Sequence, residues 1–282
     1  MATSNIKSTQ FLLPTFITFF LLLLHKANSS SKSKQLSFTI NKFSPKESDL
    51  IFQGDASVLS SGALQLTKVE NGLPTENSVG RVLYTTPLKI WDSKKVASFT
   101  TSFSFLINSP DPSNPADGLA FFLASPDFPS GPTQPGAFLG LFNDENSRSS
   151  NQIVAVEFDT FTGADNEWDP SFRHIGIDVN SIVSVKTEAW DWRNAEVADV
   201  NITYLAQTKV LTATLTYPPI DRLSKRKPNP SKQASFTVNA SVDLKATLPE
   251  FVRVGISAAT GGIVATHNVI QWSFRSTFEP KN

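Results

Sequence analysis

One segment of the chain gathers side chains that bind divalent cations. Glu157 and Asp159 stand two positions apart in an apolar run. Asn166 and Asp169 follow in a polar stretch, and His174 opens the next apolar run. Clustered carboxylates repel, at about 4 kcal/mol per ionised pair for a separation of about 4 Å and an effective dielectric near 20. Either one carboxyl has a raised pKa or cations bind, and this mixture of oxygen and imidazole ligands favours cations such as Ca²⁺ and Mn²⁺.

The same carboxylates could instead serve catalysis. Some secreted glycoside hydrolases carry Glu-x-Asp-x-x-Glu on one strand, where the two Glu act as nucleophile and acid/base about 5–5.5 Å apart. Glu157 and Asp159 fit the first half of that motif, but Thr162 occupies the place of the second Glu. The missing carboxylate disfavours hydrolysis, so we predict no catalytic residue and no enzyme.

The cation ligands need a strand and a following loop to hold them. Residues i and i+2 of a strand point to the same face, so Glu157 and Asp159 share one face while Val156 and Phe158 point into the opposite layer. The chain then leaves the strand through a polar loop and returns at His174. A strand, a loop and a second strand are therefore predicted to build the site.

The rest of the chain from residue 35 onward indicates the same kind of structure. Short Phe-, Val-, Thr- and Ile-rich runs alternate with turn residues, and Phe99, Phe103 and Phe105 fall on one strand face with hydroxyl residues on the other. Period-two patterning with closely spaced turns predicts an all-β sandwich or barrel. No interdomain linker is evident, because the basic stretch 221–232 lies between two strand-like runs and is interpreted as an exposed hairpin loop. We predict one domain over residues 35–282.

Composition excludes several classes of function. The 282 residues include 25 basic and 25 acidic side chains, so nothing points to nucleic acid as a partner. The absence of Cys excludes a disulfide framework, a thiolate nucleophile and Cys-ligated zinc. With only three His in the chain, a poly-His metal site is excluded too.

The first 34 residues have the layout of a secretory signal peptide. Lys7 precedes an apolar stretch over residues 11–24, and small residues follow over 27–31. The apolar stretch is short for a membrane span of about 20 residues. We predict cleavage between residues 27 and 34 and a secreted protein without a membrane span, either extracellular or vacuolar. Asn201 and Asn239 open Asn-x-Ser/Thr sequons and are predicted glycan acceptors.

Motifs along almost the whole chain resemble the legume lectin family. The stretches that carry the resemblance are Leu50-Ile-Phe-Gln-Gly-Asp-Ala56, Gly80-Arg-Val-Leu-Tyr84, Pro115-Ala-Asp-Gly-Leu-Ala-Phe-Phe-Leu123, Phe138-Leu-Gly-Leu-Phe142, residues 154–160, His174-Ile-Gly-Ile-Asp-Val-Asn-Ser181, residues 248–255 and Trp272-Ser-Phe274. The resemblance implies an all-β, antiparallel jelly-roll sandwich that binds carbohydrate without catalysis.

Roles for the cation ligands follow from this resemblance. It implies that Mn²⁺ is bound by Glu157, Asp159, Asp169 and His174, and that Ca²⁺ is bound by Asp159, the main-chain carbonyl of Phe161, Asn166 and Asp169. His174 follows Asp169 by five positions, as in the family. Most members have the Asn ligand four positions after the strand Asp, where this chain has Gly163. Alignment from Trp168-Asp-Pro170 gives that position to Asn166.

The resemblance also implies a sugar site. The carboxylate of Asp117, after a cis Ala116–Asp117 bond, accepts hydrogen bonds from two sugar hydroxyls. Asn166 donates its side-chain amide, Phe161 offers its ring to the apolar face of the pyranose, and the backbone amide of Ala137 adds a donor. Many relatives have Gly where this chain has Ala137, but a backbone donor does not depend on the side chain.

Sugar specificity in the family follows the last loop of the site. Five residues lie between Gly261 and His267, a short loop that resembles mannose- and glucose-binding members. There the backbone amides of Gly262 and Ile263 would reach the sugar, while His267 is interpreted as a structural residue. The alternatives are a lectin for galactose or complex glycans and a lectin-like defence or storage protein that has lost sugar binding. Expected partners are glycans, glycoproteins and further copies of the chain in a homodimer or homotetramer.

Overall fold

The computed structural model describes residues 36–129, 131, 134–146, 148–163, 166–219 and 234–278. In chain order, the strands in this part of the chain are β1 (Ser37–Ile40), β2 (Leu50–Gly54), β3 (Ser57–Val58), β4 (Leu64–Gln65), β5 (Val69–Glu70), β6 (Leu73–Pro74), β7 (Val79–Tyr84), β8 (Leu88–Lys89), β9 (Ser98–Asn108), β10 (Gly118–Ala124), β11 (Ile153–Asp159), β12 (His174–Val179), β13 (Lys186–Ala189), β14 (Ala198–Leu205), β15 (Val210–Tyr217), β16 (Ala234–Ser241), β17 (Phe251–Ala259) and β18 (Thr266–Thr277). A 3₁₀ turn spans Gly136–Phe138, and a short helix α1 spans Leu244–Thr247. The predicted leader and the predicted loop at 221–232 lie outside the described residues.

The strands form two large antiparallel sheets. Sheet I has the order β16-β15-β14-β9-β18-β4-β3, with β1 also paired to β18. Sheet II has the order β13-β12-β11-β10-β17-β7-β2, with β8 also paired to β17. The short strands β5 and β6 pair with each other. The predicted all-β antiparallel sandwich is therefore confirmed.

The main core lies between the sheets. Phe99, Phe103 and Phe105 of β9 are each 3% exposed or less, which confirms the predicted buried face. On the other face Thr100 is exposed and Ser102 half-buried, but Ser104 is buried. Phe158 of β11 reaches this core from sheet II, and its ring centroid lies 5.3 Å from that of Phe105. Edge-to-face and tilted ring pairs of this kind add to the stabilisation from apolar burial.

A second, smaller core covers the other face of sheet II. It includes Phe122 of β10, Ala155 of β11 and, from the segment after the 3₁₀ turn, Leu139 and Leu141. Strands β10 and β11 are thus buried on both faces, which explains why their sequences are nearly continuous apolar runs. Because side chains alternate along a strand, the other odd-numbered members of β11 face this side as well. Among the described residues, no helix is long and apolar enough to cross a bilayer.

Candidate functional site

Strand register collects the acidic residues on the second-core face of sheet II. In β11, Asp159 pairs with Gly118 of β10 and with His174 of β12, while Glu157 pairs with Gly176. A Cβ built on Gly176 would lie only 2.3 Å from Oε1 of Glu157 and 2.0 Å from Oγ of Ser184. Glycine at 176 therefore leaves the space that the Glu157 carboxylate occupies.

Glu157, Asp169 and His174 form the centre of the predicted metal site. One ligand atom from each lies within 4.8 Å of the others, and Nε2 of His174 is 3.1 Å from Oε1 of Glu157. Asp159 is 2% exposed, and its Oδ1 accepts a hydrogen bond of 2.7 Å from the Phe161 amide. Two paired strands and the loop between them thus bring these side chains together.

The loop between β11 and β12 also carries the predicted ligand Asn166. Asn166 is 9% exposed, and its Nδ2 donates to Oδ2 of Asp169 at 2.9 Å. This bond connects the amide to the carboxylate that faces Glu157 and His174. The structure therefore places Asn166 beside Asp169, and binding of a cation by Asn166 stays a prediction.

Two residues that the sequence did not single out complete the cluster. Asp178 of β12 is fully buried, and Oγ of Ser184 lies 2.7 Å from Oδ1 of Asp178 and 2.7 Å from Oε1 of Glu157. A hydroxyl has one proton to donate, so it satisfies one of the two carboxylates at a time. Alternation along β12 could have identified Asp178, which shares a face with His174. No sequence signal marks Ser184, which lies in the turn after β12. We call Glu157, Asp159, Asp169, His174 and Asp178 the acidic cluster.

The pKa values in the acidic cluster record a concentration of buried negative charge. Burial, followed by the charges of Glu157 and Asp169, raises the pKa of Asp159 well above its usual value. Burial and Glu157 raise the pKa of Asp169 to about 6. Burial lowers the pKa of His174, but hydrogen bonding and attraction to Glu157 outweigh it and the net shift is upward. Burial and Glu157 also raise the pKa of Asp178 well above its usual value.

The donor set of the acidic cluster fits divalent cations. Oε2 of Glu157 and Oδ2 of Asp178 are buried and accept no hydrogen bond from any described residue. Buried carboxylate oxygens without partners are costly, and a bound cation compensates them. Carboxylate and amide oxygens suit Ca²⁺, and carboxylates with an imidazole suit Mn²⁺. The residues present therefore fit the two ions that the sequence predicts.

Asp117 lies at the start of β10 beside this cluster. It follows a cis Ala116–Asp117 bond, is 5% exposed, and its carbonyl accepts hydrogen bonds from the amide and the hydroxyl of Thr160. Burial raises the pKa of its carboxyl to about 7; a hydrogen bond from the Gly261 backbone opposes this shift and the charge of Asp169 adds to it. Oδ2 of Asp117 accepts no hydrogen bond from the described residues. This carboxylate oxygen is thus a buried acceptor that is available to a donor from a ligand.

Two glycines flank the Asp117 carboxylate. A Cβ built on Gly136 would lie 3.9 Å from Oδ2 of Asp117, and one built on Gly261 would lie 3.4 Å from it. The amide of Gly136 donates to the carbonyl of Thr260 at 3.2 Å, which joins these two walls. The sequence predicts Ala137 at this place. The structure puts the preceding residue, Gly136, against Asp117, with Ala137 next to it in the 3₁₀ turn.

The remaining predicted contacts lie around this opening. Gly262 is exposed and a Cβ there would meet nothing within 4 Å, while Ile263 is half-buried. Both line a neighbouring cavity of about 290 Å³ together with Glu76 and Asp111. The ring of Phe161 lies over Gly163, where a Cβ would come within 2.0 Å of the ring. Glycine at 163, the position where most relatives carry the Asn ligand, therefore makes room for the Phe161 ring.

The other predicted residues lie away from the opening. His267 is fully buried, and its Nδ1 lies 3.1 Å from Oγ1 of Thr67. Asn201 of β14 and Asn239 of β16 are both exposed on the outer face of sheet I, with β15 between them. Both sequons are thus accessible, and their modification stays a prediction.

Comparison with known proteins gives consistent matches. Residues 35–282 match the Legume lectin domain. Bark leucoagglutinin from Maackia amurensis is 58% identical over 285 aligned positions, covering 99% of this chain and 94% of that protein. The solved structure of lectin UEA-II complexed with galactose is 54% identical, with a TM-score of 0.76, and the match covers 86% of this chain and 98% of that one. Lectin I from Ulex europaeus, in complex with the methyl glycoside of α-L-fucose, is 47% identical with a TM-score of 0.78. That match covers 87% of this chain and 99% of the lectin I chain.

Proposed function

Because the chain belongs to the legume lectin family, we propose that it is a secreted lectin whose sugar site is built around Asp117 and depends on Ca²⁺ and Mn²⁺. Members of this family bind carbohydrate without converting it, so the protein is not an enzyme. The observation that carries the proposal is the buried Oδ2 of Asp117, an acceptor without a partner between two glycines. An ionised carboxylate only accepts hydrogen bonds, and sugar hydroxyls are donors that would satisfy it.

The other sugar contacts are assigned around this carboxylate. Asn166 would donate its side-chain amide, Phe161 would pack its ring on the apolar face of the pyranose, and Ala137 would donate its backbone amide. Gly262 and Ile263 would donate backbone amides from the loop beyond Gly261. Support comes from the position of Gly136 and Gly261 against Asp117, since both segments then border the same opening.

The two cations are assigned to the acidic cluster and the loop that follows β11. Mn²⁺ would be held by Glu157, Asp159, Asp169 and His174. Ca²⁺ would be held by Asp159, the Phe161 carbonyl, Asn166 and Asp169. When bound, the ions would neutralise the buried carboxylates and fix the conformation of residues 161–169. Asp159 and Asp169 would serve both ions, which couples the two sites.

Two observations bear on the class of monosaccharide and point in different directions. The short loop between Gly261 and His267 favours mannose or glucose. Among the solved relatives, lectin UEA-II is complexed with galactose and lectin I from Ulex europaeus with the methyl glycoside of α-L-fucose. L-Fucose is the L-galactose skeleton without one hydroxyl, so both ligands have the galacto configuration. Identity over the whole domain carries more weight than the length of one loop, and we propose galactosides first, with mannosides as the alternative.

Localisation, modification and assembly complete the proposal. The leader layout supports entry into the secretory pathway and an extracellular or vacuolar location. The exposure of Asn201 and Asn239 supports glycosylation at both. A homodimer or homotetramer is proposed because several sites on one particle would allow the protein to cross-link glycoproteins.

Sugar retention by an Asp117→Ala variant tests the function. The purified, metal-loaded protein is passed over immobilised galactose and immobilised mannose, with and without a chelator. We expect retention on one of the two columns, release by the chelator, and at least about a hundredfold weaker binding by Asp117→Ala, since a central charge-assisted hydrogen bond is lost. The exposed Asp191→Asn change is the matched control and should leave retention unaltered.

The possible outcomes separate the alternatives. A folded, metal-loaded protein that neither column nor a glycan array retains would support the defence or storage alternative and contradict ours. Release of reducing sugar from oligosaccharides would support the hydrolase. Undiminished binding by Asp117→Ala would remove this carboxylate from the site.

A further inference from the structure

Arg81 on β7 carries a charge in the protein interior without an acidic partner. Its side chain is 0% exposed, and among the described residues no carboxylate forms an ion pair with it. Burial lowers its pKa to about 10, so the guanidinium is charged at neutral pH. A buried charge of this kind persists when other polar groups of the protein compensate it.

The compensation comes from a single surface loop. Nη1 of Arg81 donates to the carbonyl of Gly140 at 3.0 Å, and Nη2 donates to the carbonyls of Pro129, at 2.8 Å, and Gly131. The guanidinium carbon lies 4.6 Å from the ring centroid of Phe128. We call residues 128–142, apart from 130, 132 and 133, the anchored loop.

A second side chain fixes the same loop from the neighbouring strand. Ser257 of β17 pairs with Arg81 in the sheet register, and its Oγ donates to the carbonyl of Leu139. Arg81 and Ser257 therefore bind consecutive carbonyls, those of Leu139 and Gly140.

The conformation of the anchored loop requires such support. Gly136, Leu139 and Gly140 have positive φ angles of 68°, 51° and 68°. For a residue with a side chain, such as Leu139, the left-handed region is unfavourable by about 1–2 kcal/mol. Contacts with the sheet must hold that conformation in place.

The opposite side of the anchored loop borders the carbohydrate opening. Gly136 lies against the Asp117 carboxylate and donates its amide to Thr260, while Ala137 follows it directly. We propose that Arg81 is a positioning residue for sugar binding: it holds the anchored loop so that the Ala137 amide is aimed at the sugar. This inference rests on the proposed function, because it takes the ligand of Asp117 to be a sugar.

An Arg81→Lys variant tests the proposal while keeping the charge. A lysine ammonium is a compact point donor and does not reproduce the planar fork that reaches three carbonyls. Arg253→Lys is the matched control, because Arg253 of β17 also donates to two backbone carbonyls, those of Thr85 and Pro126, outside the anchored loop. Both variants are assayed in the full-length, metal-loaded protein for ion content, thermal stability and affinity.

The affinity probe is whichever of methyl α-galactoside and methyl α-mannoside the unsubstituted protein binds, together with its monodeoxy analogues. We expect Arg81→Lys to retain both ions and to lose about tenfold in affinity. In Arg81→Lys, removing the sugar hydroxyl that pairs with the Ala137 amide should no longer weaken binding. Removing any other hydroxyl should weaken binding as much as in the unsubstituted protein. Arg253→Lys should bind within about twofold of the unsubstituted protein. General destabilisation would not remove the contribution of one hydroxyl selectively.

Hydrogen exchange separates this inference from the proposed function. Without sugar, amides of the anchored loop should exchange faster in Arg81→Lys and not in Arg253→Lys. Unaltered affinity of Arg81→Lys, or equal weakening toward every analogue, would overturn the positioning role while sugar binding by the unsubstituted protein stands. If that protein bound no sugar, the proposed function would fail and this role with it, even if exchange of the loop still increased.

Discussion

Sheet II buries charged side chains at two places, and they differ in whether other groups of the protein compensate the charge. At Arg81, the guanidinium is surrounded by carbonyls of the anchored loop, and the fold itself supplies the compensating dipoles. In the acidic cluster, several carboxylates face one another and leave buried oxygens without donors. In the first region loop carbonyls compensate the charge through both terminal nitrogens, and only Nε of Arg81 has no hydrogen-bond partner among the described residues. The second region needs a proton or a cation. The contrast indicates which buried charge serves the structure and which prepares a binding site.

The pKa directions express the same contrast. Arg81 keeps its charge at neutral pH although burial lowers its pKa. In the acidic cluster, burial and mutual repulsion raise the pKa values of Asp159, Asp169 and Asp178, so these carboxyls take up protons more readily than in the unfolded chain. Without cations, the cluster opposes folding at neutral pH and opposes it less as the pH falls.

Asp159→Asn should produce the largest effect and sharpen this comparison. In metal-loaded conditions the variant should lose both ions and at least about a hundredfold in sugar affinity, because the Asp159 carboxylate is proposed to bind both ions. In chelator the order should reverse, and the variant should melt at a temperature equal to or above that of the unsubstituted protein, since an uncompensated buried charge is removed. Elemental analysis and thermal melts measure the two effects.

Asp191→Asn is the matched control for that experiment, because Asp191 is exposed. It should alter neither the ion content nor the melting temperature in either condition. Full metal content in Asp159→Asn would contradict the shared ligand, and a lower melting temperature in chelator would contradict the cost assigned to the cluster.

His267 differs from both regions, because this titratable side chain is buried in its neutral form. Burial lowers its pKa from 6.5 to about 3. Below pH 6.5 this imidazole is therefore protonated in the unfolded chain and stays neutral in the folded protein. The free energy of unfolding decreases as the pH falls. The loss is about 1.4 kcal/mol per pH unit. Urea unfolding of the unsubstituted protein and of His267→Gln, between pH 7.5 and about 5, measures this slope.

The difference in unfolding free energy between these two proteins isolates His267 from the acidic cluster, whose carboxyls titrate in the opposite direction. The advantage of the unsubstituted protein over His267→Gln should shrink below pH 6.5 and be constant above it. A difference independent of pH would show that His267 titrates equally in both states.

Ser257→Ala should produce the smallest effect. It removes the donor to the Leu139 carbonyl, and a buried carbonyl that loses its partner costs about 1–2 kcal/mol. The polar groups of the anchored loop are paired within the fold. The decrease in the free energy of unfolding should therefore be the same with and without cations. Ser235→Ala, on the exposed face of sheet I, is the control. Its free energy of unfolding should differ from that of the unsubstituted protein by no more than about 0.5 kcal/mol. A Ser257→Ala effect confined to the metal-loaded form would contradict the separation of the two regions.

Local pattern was sufficient to predict much of the fold and to indicate the candidate metal site. The alternation around Phe99 and Phe103 predicts a half-buried strand, and the spacing of Glu157 and Asp159 predicts a shared face. Both expectations depend only on the two-residue period of a strand, which holds wherever that strand is placed in the sheet. The assignment of Asn166 came from the family resemblance, aligned from Trp168-Asp-Pro170.

Contacts between distant segments could not be derived in this way. Arg81 and Gly140 are separated by 59 positions, and nothing in the sequence around Arg81 distinguishes a buried loop anchor from a surface charge. Ser184 reaches Glu157 across 27 positions from a turn. The contact of Gly136 with Asp117 likewise depends on how the anchored loop crosses the sheet.

The sequence by itself determined the all-β class, the resemblance to a family and a candidate set of cation ligands, because these depend on residue types, motifs and short-range periodicity. The tertiary structure alone decided which buried charges have partners. Compensation of a charge depends on where carbonyls and hydroxyls from other strands lie within a few ångströms, and that arrangement exists only once the two sheets and their loops have packed.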